Sequence, residues 1–243
     1  MSVAHDSWSE VYDRVYTTEF GRLYRALTDE TLQLVDTLLP QPGVVLDVGA
    51  GTGRLATPLA EAGHHVVAVE PSAGMLAQMR DPAAGRPIER HCCRMAEFDS
   101  PPRFDLALCV FTVISYLVDD TALRTTMSRI SGVLKPGGQL LIDVPSRVLF
   151  HSRQLETDEL SRSVEIVDSP EPDVYTYREF IRLRHQGRWR EFADEFALRW
   201  WSDRAVLDTA AAAGLNQQRN VTGDLPATGS EWWVLQKDED ARP

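Results

Sequence analysis

One segment constrains this chain more than any other. The apolar run VVLDV, residues 44–48, enters the glycine-rich turn GAGTG and leaves it as RLATPLAEAG, which has the pattern of a helix. A strand that passes through glycines into a helix is the first half of a βαβ unit, whose next strand lies parallel to it. The alternation then continues. HVVAVE is a second strand, and Ser72 is placed to cap a short helix ending near Arg80. A strand near Ile88–Cys92 follows, and FDLALCVF is a buried strand. Asp119 or Asp120 can open a helix through Leu134, with Leu123, Met127, Ile130 and Leu134 on one stripe. Lys135-Pro136-Gly137-Gly138 ends it, and QLLIDV is another buried strand. Alternation of this kind implies a parallel sheet with helices on both faces.

The flanks differ. Residues 20–39 repeat apolar side chains at helical spacing, and Pro40 and Pro42 stop that helix. VYTYREFIRLR and RWREFADEFALRWW flank His185-Gln186-Gly187-Arg188, the signature of a hairpin turn. Tyr175, Tyr177, Ile181 and Leu183 share one face of the first arm, and Phe192, Phe196, Leu198 and Trp200 one face of the second. Arg178, Arg182, Glu191 and Glu195 fall on the other face, where they can pair across strands. Ser202 then caps a helix ending at Gly214, and strands near 215–222 and 231–236 close the chain. The expected fold is α/β: a Rossmann-like, doubly wound, mostly parallel sheet with an antiparallel last strand, plus an N-terminal helical lid and an inserted β-hairpin.

Charge and cysteine usage remove several function classes. The net charge of −11 argues against a nucleic-acid surface, which needs clustered Lys and Arg. No apolar run approaches the roughly 20 residues that span a bilayer. MSVAHDSWSE lacks a basic cap followed by an apolar block, so no signal peptide is expected and the chain reads as cytoplasmic, with no membrane partner. Cys92, Cys93 and Cys109 form neither a disulfide framework nor a metal knuckle, and no metal is expected.

The glycine turn admits two registers. From Gly49 the dinucleotide pattern needs a glycine at 54, where Arg54 stands; from Gly51 it is met by Gly51, Gly53 and Ala56. Asp47, just before the turn, argues against a diphosphate, which its charge would repel. The same carboxylate suits a cationic amine, or it simply orders the turn. Glu70 ends the second strand, where an acid can accept both ribose hydroxyls.

VLDVGAGTGR, VVAVEPSAGML, FDLALCVFTVISYL and VLKPGGQLLIDVP, taken in order, resemble the successive motifs of class I S-adenosylmethionine-dependent methyltransferases of the small-molecule type. The resemblance runs from about Val44 to Pro145. It implies S-adenosyl-L-methionine as cofactor, with Asp47 serving its amino group and Glu70 its ribose. It places the turn Gly49, Ala50, Gly51 and Gly53 beneath the methionine part, and Pro71 and Phe111 beside the site. Met75 would lie near the adenine, or serve only as a core methionine. Relatives often carry an acidic or polar residue near the adenine amine after the third strand; here Arg94 and Met95 occupy that stretch, and Glu97 or the Met95 backbone would substitute. The implied domain is single, 1–243: a lid at 1–42, a cofactor-binding core at 43–145, an inserted acceptor or dimer hairpin region at 146–201, and a closing helix and strands at 202–237.

Acceptors bind beyond the carboxyl ends of the strands. Val11-Tyr12-Asp13-Arg14-Val15-Tyr16 resembles the YDxxY lid of sugar-amine N-methyltransferases of antibiotic pathways, which implies that Tyr12, then Tyr16, contacts the cofactor and borders the methyl. Both rings are equally explained as the core of an amphipathic helix. Such relatives often carry His where Tyr116 stands. His151, then Tyr116, are the candidate bases, Tyr116 more as an orienting hydroxyl. The expected reaction is methyl transfer to an amine or hydroxyl of a small molecule, a secondary metabolite or its sugar, with a homodimer formed through the hairpin. A nicotinamide-dependent oxidoreductase and a non-catalytic S-adenosylmethionine-binding module remain as alternatives.

Overall fold

The computed structural model describes residues 3–185 and 187–239. A 3-10 turn at Asp6–Val11 leads into α1, Tyr12–Leu38, which bends at Gly21 (φ 50°, ψ −112°). The helix begins eight residues before the stretch that sequence periodicity marks; its first turns stack Tyr12 on Tyr16 and bury Val15, a mixed face that aliphatic spacing alone does not mark. The core alternates as expected: β1 Val44–Val48, α2 Ala56–Glu61, β2 His65–Val69, α3 Ala73–Gln78, β3 Glu89–His91, β4 Phe104–Cys109, α4 Asp120–Val133 and β5 Leu134–Pro145. Ser72 caps α3 by accepting the Met75 N–H, and Asp119 caps α4 by accepting the Ala122 N–H.

Past β5 the chain builds β6 Arg153–Glu156, β7 Leu160–Asp168, β8 Val174–His185 and β9 Arg188–Arg199, before α5 Asp203–Ala212, β10 Leu215–Asn220 and β11 Ser230–Lys237. The seven-stranded sheet has the order β10-β11-β5-β4-β1-β2-β3. β1 to β5 are parallel, and β11 runs antiparallel to both β5 and β10. Successive strand residues bury on opposite faces. Leu46, Ala107 and Ile142 pack with α4 and α5, while Val45, Leu106 and Leu141 pack with α1 and α2.

The inserted hairpin is a correction in extent. β8 and β9 pair as read, Arg178 opposite Glu195 and Arg182 opposite Glu191, but β6 and β7 extend them to a four-stranded antiparallel sheet. Arg162 hid β7: it is buried at a position where an alternating strand would carry an apolar side chain. The turn residue Gln186 lies outside the described residues. The inner face of this sheet is sealed by the N-terminal segment, with Trp8, Val11 and Val15 packed against Leu160, Ile181 and Leu183.

Candidate functional site

Strand order reverses between β1 and β4, so a crevice opens at their carboxyl ends. There the chain encloses a cavity of about 390 Å³. Asp47, Glu70 and the turn residues Gly49, Ala50 and Gly51 line it. So do Pro71, Met75, Arg94, Met95 and Phe111, together with Tyr12 and Tyr116.

The turn is held by its own backbone. Gly49 N–H and Ala50 N–H both donate to Val69 O (2.8 and 3.3 Å), and Gly53 N–H donates to Ala50 O (3.0 Å). Gly51 N–H donates to Glu70 Oε2 at 3.0 Å, while Glu70 Oε1 accepts the Ser72 N–H at 2.9 Å. The N–H groups of Gly49, Ala50, Gly51 and Gly53 therefore have partners, which a diphosphate would have to displace. Each Glu70 oxygen still has acceptor capacity. Gly49 has φ +70°, and a Cβ there would fall 2.6 Å from Val113 Cγ2.

Asp47 is the outlier. It is buried, and among the described residues no N–H or O–H donates to its carboxylate. Burial pushes its carboxyl up to about 7, against a smaller opposing pull from Arg54. A buried carboxylate without a donor, facing a cavity, fits a cationic group that enters from outside. Burial also raises Glu70, against the two N–H groups that it accepts.

Arg54 brings a positive charge to the same cavity. Its guanidinium lies 3.4 Å from the Phe111 ring centroid and 4.3 Å from that of Tyr24, and it donates to Thr28 Oγ1 at 2.8 Å. Phe111 and Thr112 both adopt left-handed backbone, φ 64° and 67°. Asp143, buried at the end of β5, holds that bend by accepting the Thr112 N–H at 2.9 Å. Burial raises Asp143 to about 6, against that bond.

Some sequence candidates sit elsewhere. Tyr16 stacks on Tyr12 with ring centroids 4.5 Å apart but does not line the cavity; it lies under Arg162. Gly53 faces Met79 and lines a second cleft, which it shares with Ser9 and Asp13 of the lid. Glu97 is exposed and accepts the Arg94 N–H, so it closes a 3-10 turn rather than reaching the cavity wall. His151 is exposed, with Nδ1 at 2.7 Å from Val148 O, and the structure does not bring it to the cavity.

Sequence reasoning passed over His5, Arg54, Asp143 and Glu179. His5 lines the cavity, with Nε2 2.7 Å from the Tyr116 hydroxyl and Nδ1 3.3 Å from Glu179 Oε1. Glu179 did leave a signal: it is the one acid interrupting the apolar face Tyr175, Tyr177, Ile181 and Leu183. The N-terminal lid is tied down on three sides. Asp6 Oδ1 accepts the Ser72 hydroxyl and the Gly74 N–H, Asp13 Oδ1 accepts the Thr52 hydroxyl, and His5 N–H donates to Asp194 Oδ2.

A family model described as a methyltransferase domain matches residues 45–138. The chain is 39% identical over 104 residues to a methyltransferase of Geobacillus sp. (strain WCH70), covering 42% of each chain. It is 32% identical over 105 residues to a ubiquinone biosynthesis O-methyltransferase of Bradyrhizobium sp. (strain ORS 278), covering 42% of this chain and 40% of that one. The chain thus spans about two-fifths of the length of these two relatives. Among solved structures, an S-adenosylmethionine-dependent methyltransferase from Clostridium acetobutylicum superposes with TM-score 0.79 at 17% identity, covering 94% of this chain and 98% of that one. The sugar N-methyltransferase KedS8 from Streptoalloteichus superposes with TM-score 0.75 at 24% identity, covering 98% and 97%. Residues 45–138 thus carry a methyltransferase domain, and the chain as a whole has the fold seen in S-adenosylmethionine-dependent methyltransferases of known structure.

Proposed function

We propose that the protein transfers a methyl group from S-adenosylmethionine to an amine or hydroxyl of a small molecule, a secondary metabolite or its sugar. One observation carries this reading. A single cavity joins a donor-free buried carboxylate, Asp47, to a ring of aromatic and polar side chains at Tyr12, Tyr116 and Phe196. When bound, the cofactor supplies an already activated sulfonium methyl.

The chain's own residues then bind and orient. Asp47 takes the ammonium, Glu70 the ribose hydroxyls, and Arg54 balances the carboxylate. Tyr12 and Phe196 exclude water from the acceptor end, which strengthens every polar contact there. Alignment of the acceptor is the protein's main contribution to rate. The similarity to a sugar N-methyltransferase and to an O-methyltransferase of ubiquinone biosynthesis supports a small acceptor and leaves nitrogen and oxygen both in play. The dinucleotide reading is disfavoured by the internally bonded N–H groups at Gly49, Ala50, Gly51 and Gly53.

A homodimer through the outer face of β8 and β9 belongs to the same proposal. Phe180 and Trp189 are exposed there, and sedimentation velocity tests it. The function is tested by calorimetric titration with S-adenosylmethionine and with NADH, then by mass spectrometry of catechol and a thymidine-diphosphate-linked amino sugar. Binding of NADH alone overturns the reading, and cofactor binding without methylation of either probe favours the binding-module alternative.

A further inference from the structure

The cluster at His5 shares the cavity with Asp47 and Glu70 but has no part in the roles given to them. The His5 ring is buried among Trp8, Tyr12 and Phe196, with centroids 5.1, 5.4 and 4.9 Å away. Its backbone is left-handed, φ 64°, a conformation that costs energy for a residue with a side chain. Asp194 fixes it there by accepting the His5 N–H at 2.6 Å. The ring presents Nε2 to the Tyr116 hydroxyl at 2.7 Å and Nδ1 to Glu179 Oε1 at 3.3 Å. Among the described residues neither Nδ1 nor Oε1 has a hydrogen-bond partner, and the two buried atoms face each other at ion-pair distance.

Glu179 is held in turn. Arg162 donates to its Oε2 from Nη2 at 2.8 Å and from Nε at 3.2 Å. Arg162 also donates to Glu19 from Nη1 and to the Tyr177 hydroxyl from Nη2. Burial alone would raise the Glu179 carboxyl, but His5 and Arg162 outweigh it and keep it below the usual carboxylate range. Glu179 is therefore a fixed negative charge beneath a histidine whose other nitrogen touches a cavity-lining hydroxyl.

We propose that Tyr116, His5 and Glu179 form a proton relay that takes up the proton an acceptor sheds when it is methylated. The proposal rests on the methyl-transfer reading. The acceptor's O–H or N–H bond breaks and its electron pair stays on the acceptor atom that gains the methyl. That proton passes to Tyr116 Oη, while the Tyr116 hydroxyl proton passes to His5 Nε2. The imidazolium pairs with Glu179 and afterwards returns its proton to solvent. Burial raises Tyr116 well above the ordinary phenol range, so it passes a proton on while accepting one and never stores the charge. Tyr116 is the catalytic residue; His5 and Glu179 position it and accept through it.

His5, Glu179 and Asp194 could also be taken for a metal site, since their ligand atoms lie within 4.8 Å of one another. Asp194 already accepts two backbone N–H groups, His5 and Glu195, and Arg162 sets a guanidinium against Glu179. That arrangement suits a proton and opposes a cation.

The relay requires His5 in the Nδ1–H tautomer, with Nε2 bare toward Tyr116. Nitrogen-15 NMR of histidine-labelled, cofactor-free protein reads this directly. The expected spectrum shows protonated Nδ1 and bare Nε2 at His5 in the wild type. Nε2–H should appear in Glu179→Gln, whereas Tyr116→Phe, which leaves the Glu179–Arg162 pair intact, should keep the proton on Nδ1. Nε2–H in the wild type overturns the relay. On whichever of catechol or the amino sugar is methylated, Tyr116→Phe and His5→Gln should lower kcat about a hundredfold, with cofactor affinity by calorimetry within about twofold of wild type. Imidazole should restore part of the rate to His5→Ala. Wild-type kcat in His5→Gln also overturns the relay. Failure of the wild type to bind S-adenosylmethionine would remove the methyl-transfer reading without touching the tautomer result.

Discussion

The Asp6 carboxylate lies 2.6 Å from the Ser72 hydroxyl, joining the start of the lid to the residue that caps α3. The same oxygen accepts the Gly74 N–H at 2.9 Å, so one exposed acid organises the first turn of a core helix from the far side of the cavity. These two bonds hold the Asp6 carboxyl below its ordinary range. A lowered folded value means stability present above the unfolded value and lost as pH falls through the folded one, so the latch holds throughout the neutral range.

Asp6→Asn should therefore weaken the latch without touching the cavity lining. A loss of about 1 kcal/mol is expected, together with faster proteolysis in the lid and faster cofactor dissociation. Limited proteolysis and stopped-flow release measure both, and unchanged rates in the variant would show that the lid is held elsewhere.

Asp47 should make cofactor affinity depend on pH. Its carboxyl titrates at about 7 in the cofactor-free protein, and a cationic group prefers the ionised form. Affinity should be flat at higher pH and fall about tenfold per unit below that value. Calorimetry in two buffers of different ionisation enthalpy should show proton release near neutrality. Asp47→Asn should flatten the profile and weaken binding by about a hundredfold or more. In the free protein the linkage has the opposite sense to a salt-bridged acid: the folded value is raised, so stability from this site falls as pH climbs from 3.8 towards about 7.

Gly49→Ala should destabilise the protein by about 1–3 kcal/mol. It combines a left-handed backbone with a Cβ 2.6 Å from Val113 Cγ2. Gly51→Ala has a similar φ, but its nearest neighbour, Met75 Cε, is 3.5 Å away, so it should cost less stability and more cofactor affinity. Thermal unfolding of the pair, alongside cofactor titration, separates backbone strain from occupied space.

Asp143→Ala should leave the Thr112 N–H buried without its acceptor and release the left-handed pair Phe111 and Thr112. The expected cost is about 1–3 kcal/mol, with weaker cofactor binding because Phe111 carries Arg54 on its face. Asp143→Asn keeps an acceptor and should recover most of the loss by urea denaturation. Equal destabilisation by both variants would point to charge rather than to the hydrogen bond.

The parts of the molecule that could be read from sequence are those whose partners are close along the chain. Asp47, Gly49, Gly51 and Glu70 fall within one strand–turn–helix–strand unit, so spacing alone brought them together at the cavity. The caps Ser72 and Asp119 act on residues three positions away. His5, Glu179 and Asp143 were not legible because each meets its partner only after the sheet has folded: His5 and Tyr116 are 111 residues apart, Thr112 and Asp143 are 31. Arg162 misled in a second way. A buried arginine compensated by Glu19 and Glu179 occupies a strand position where apolar alternation was the only available guide. His151 was attractive as a lone loop histidine, but its ring nitrogen lies against the Val148 carbonyl on the surface.

The seal between the N-terminal segment and the four-stranded sheet also sets an order of events during synthesis. Trp8, Val11 and Val15 pack on Leu160, Ile181 and Leu183, so these residues must wait for partners that are synthesised much later. The parallel core can assemble meanwhile from β1 to β5. Until β7 and β8 emerge, Trp8, Val11 and Val15 lack that apolar cover, and the nascent chain carries an uncovered apolar segment through much of its translation.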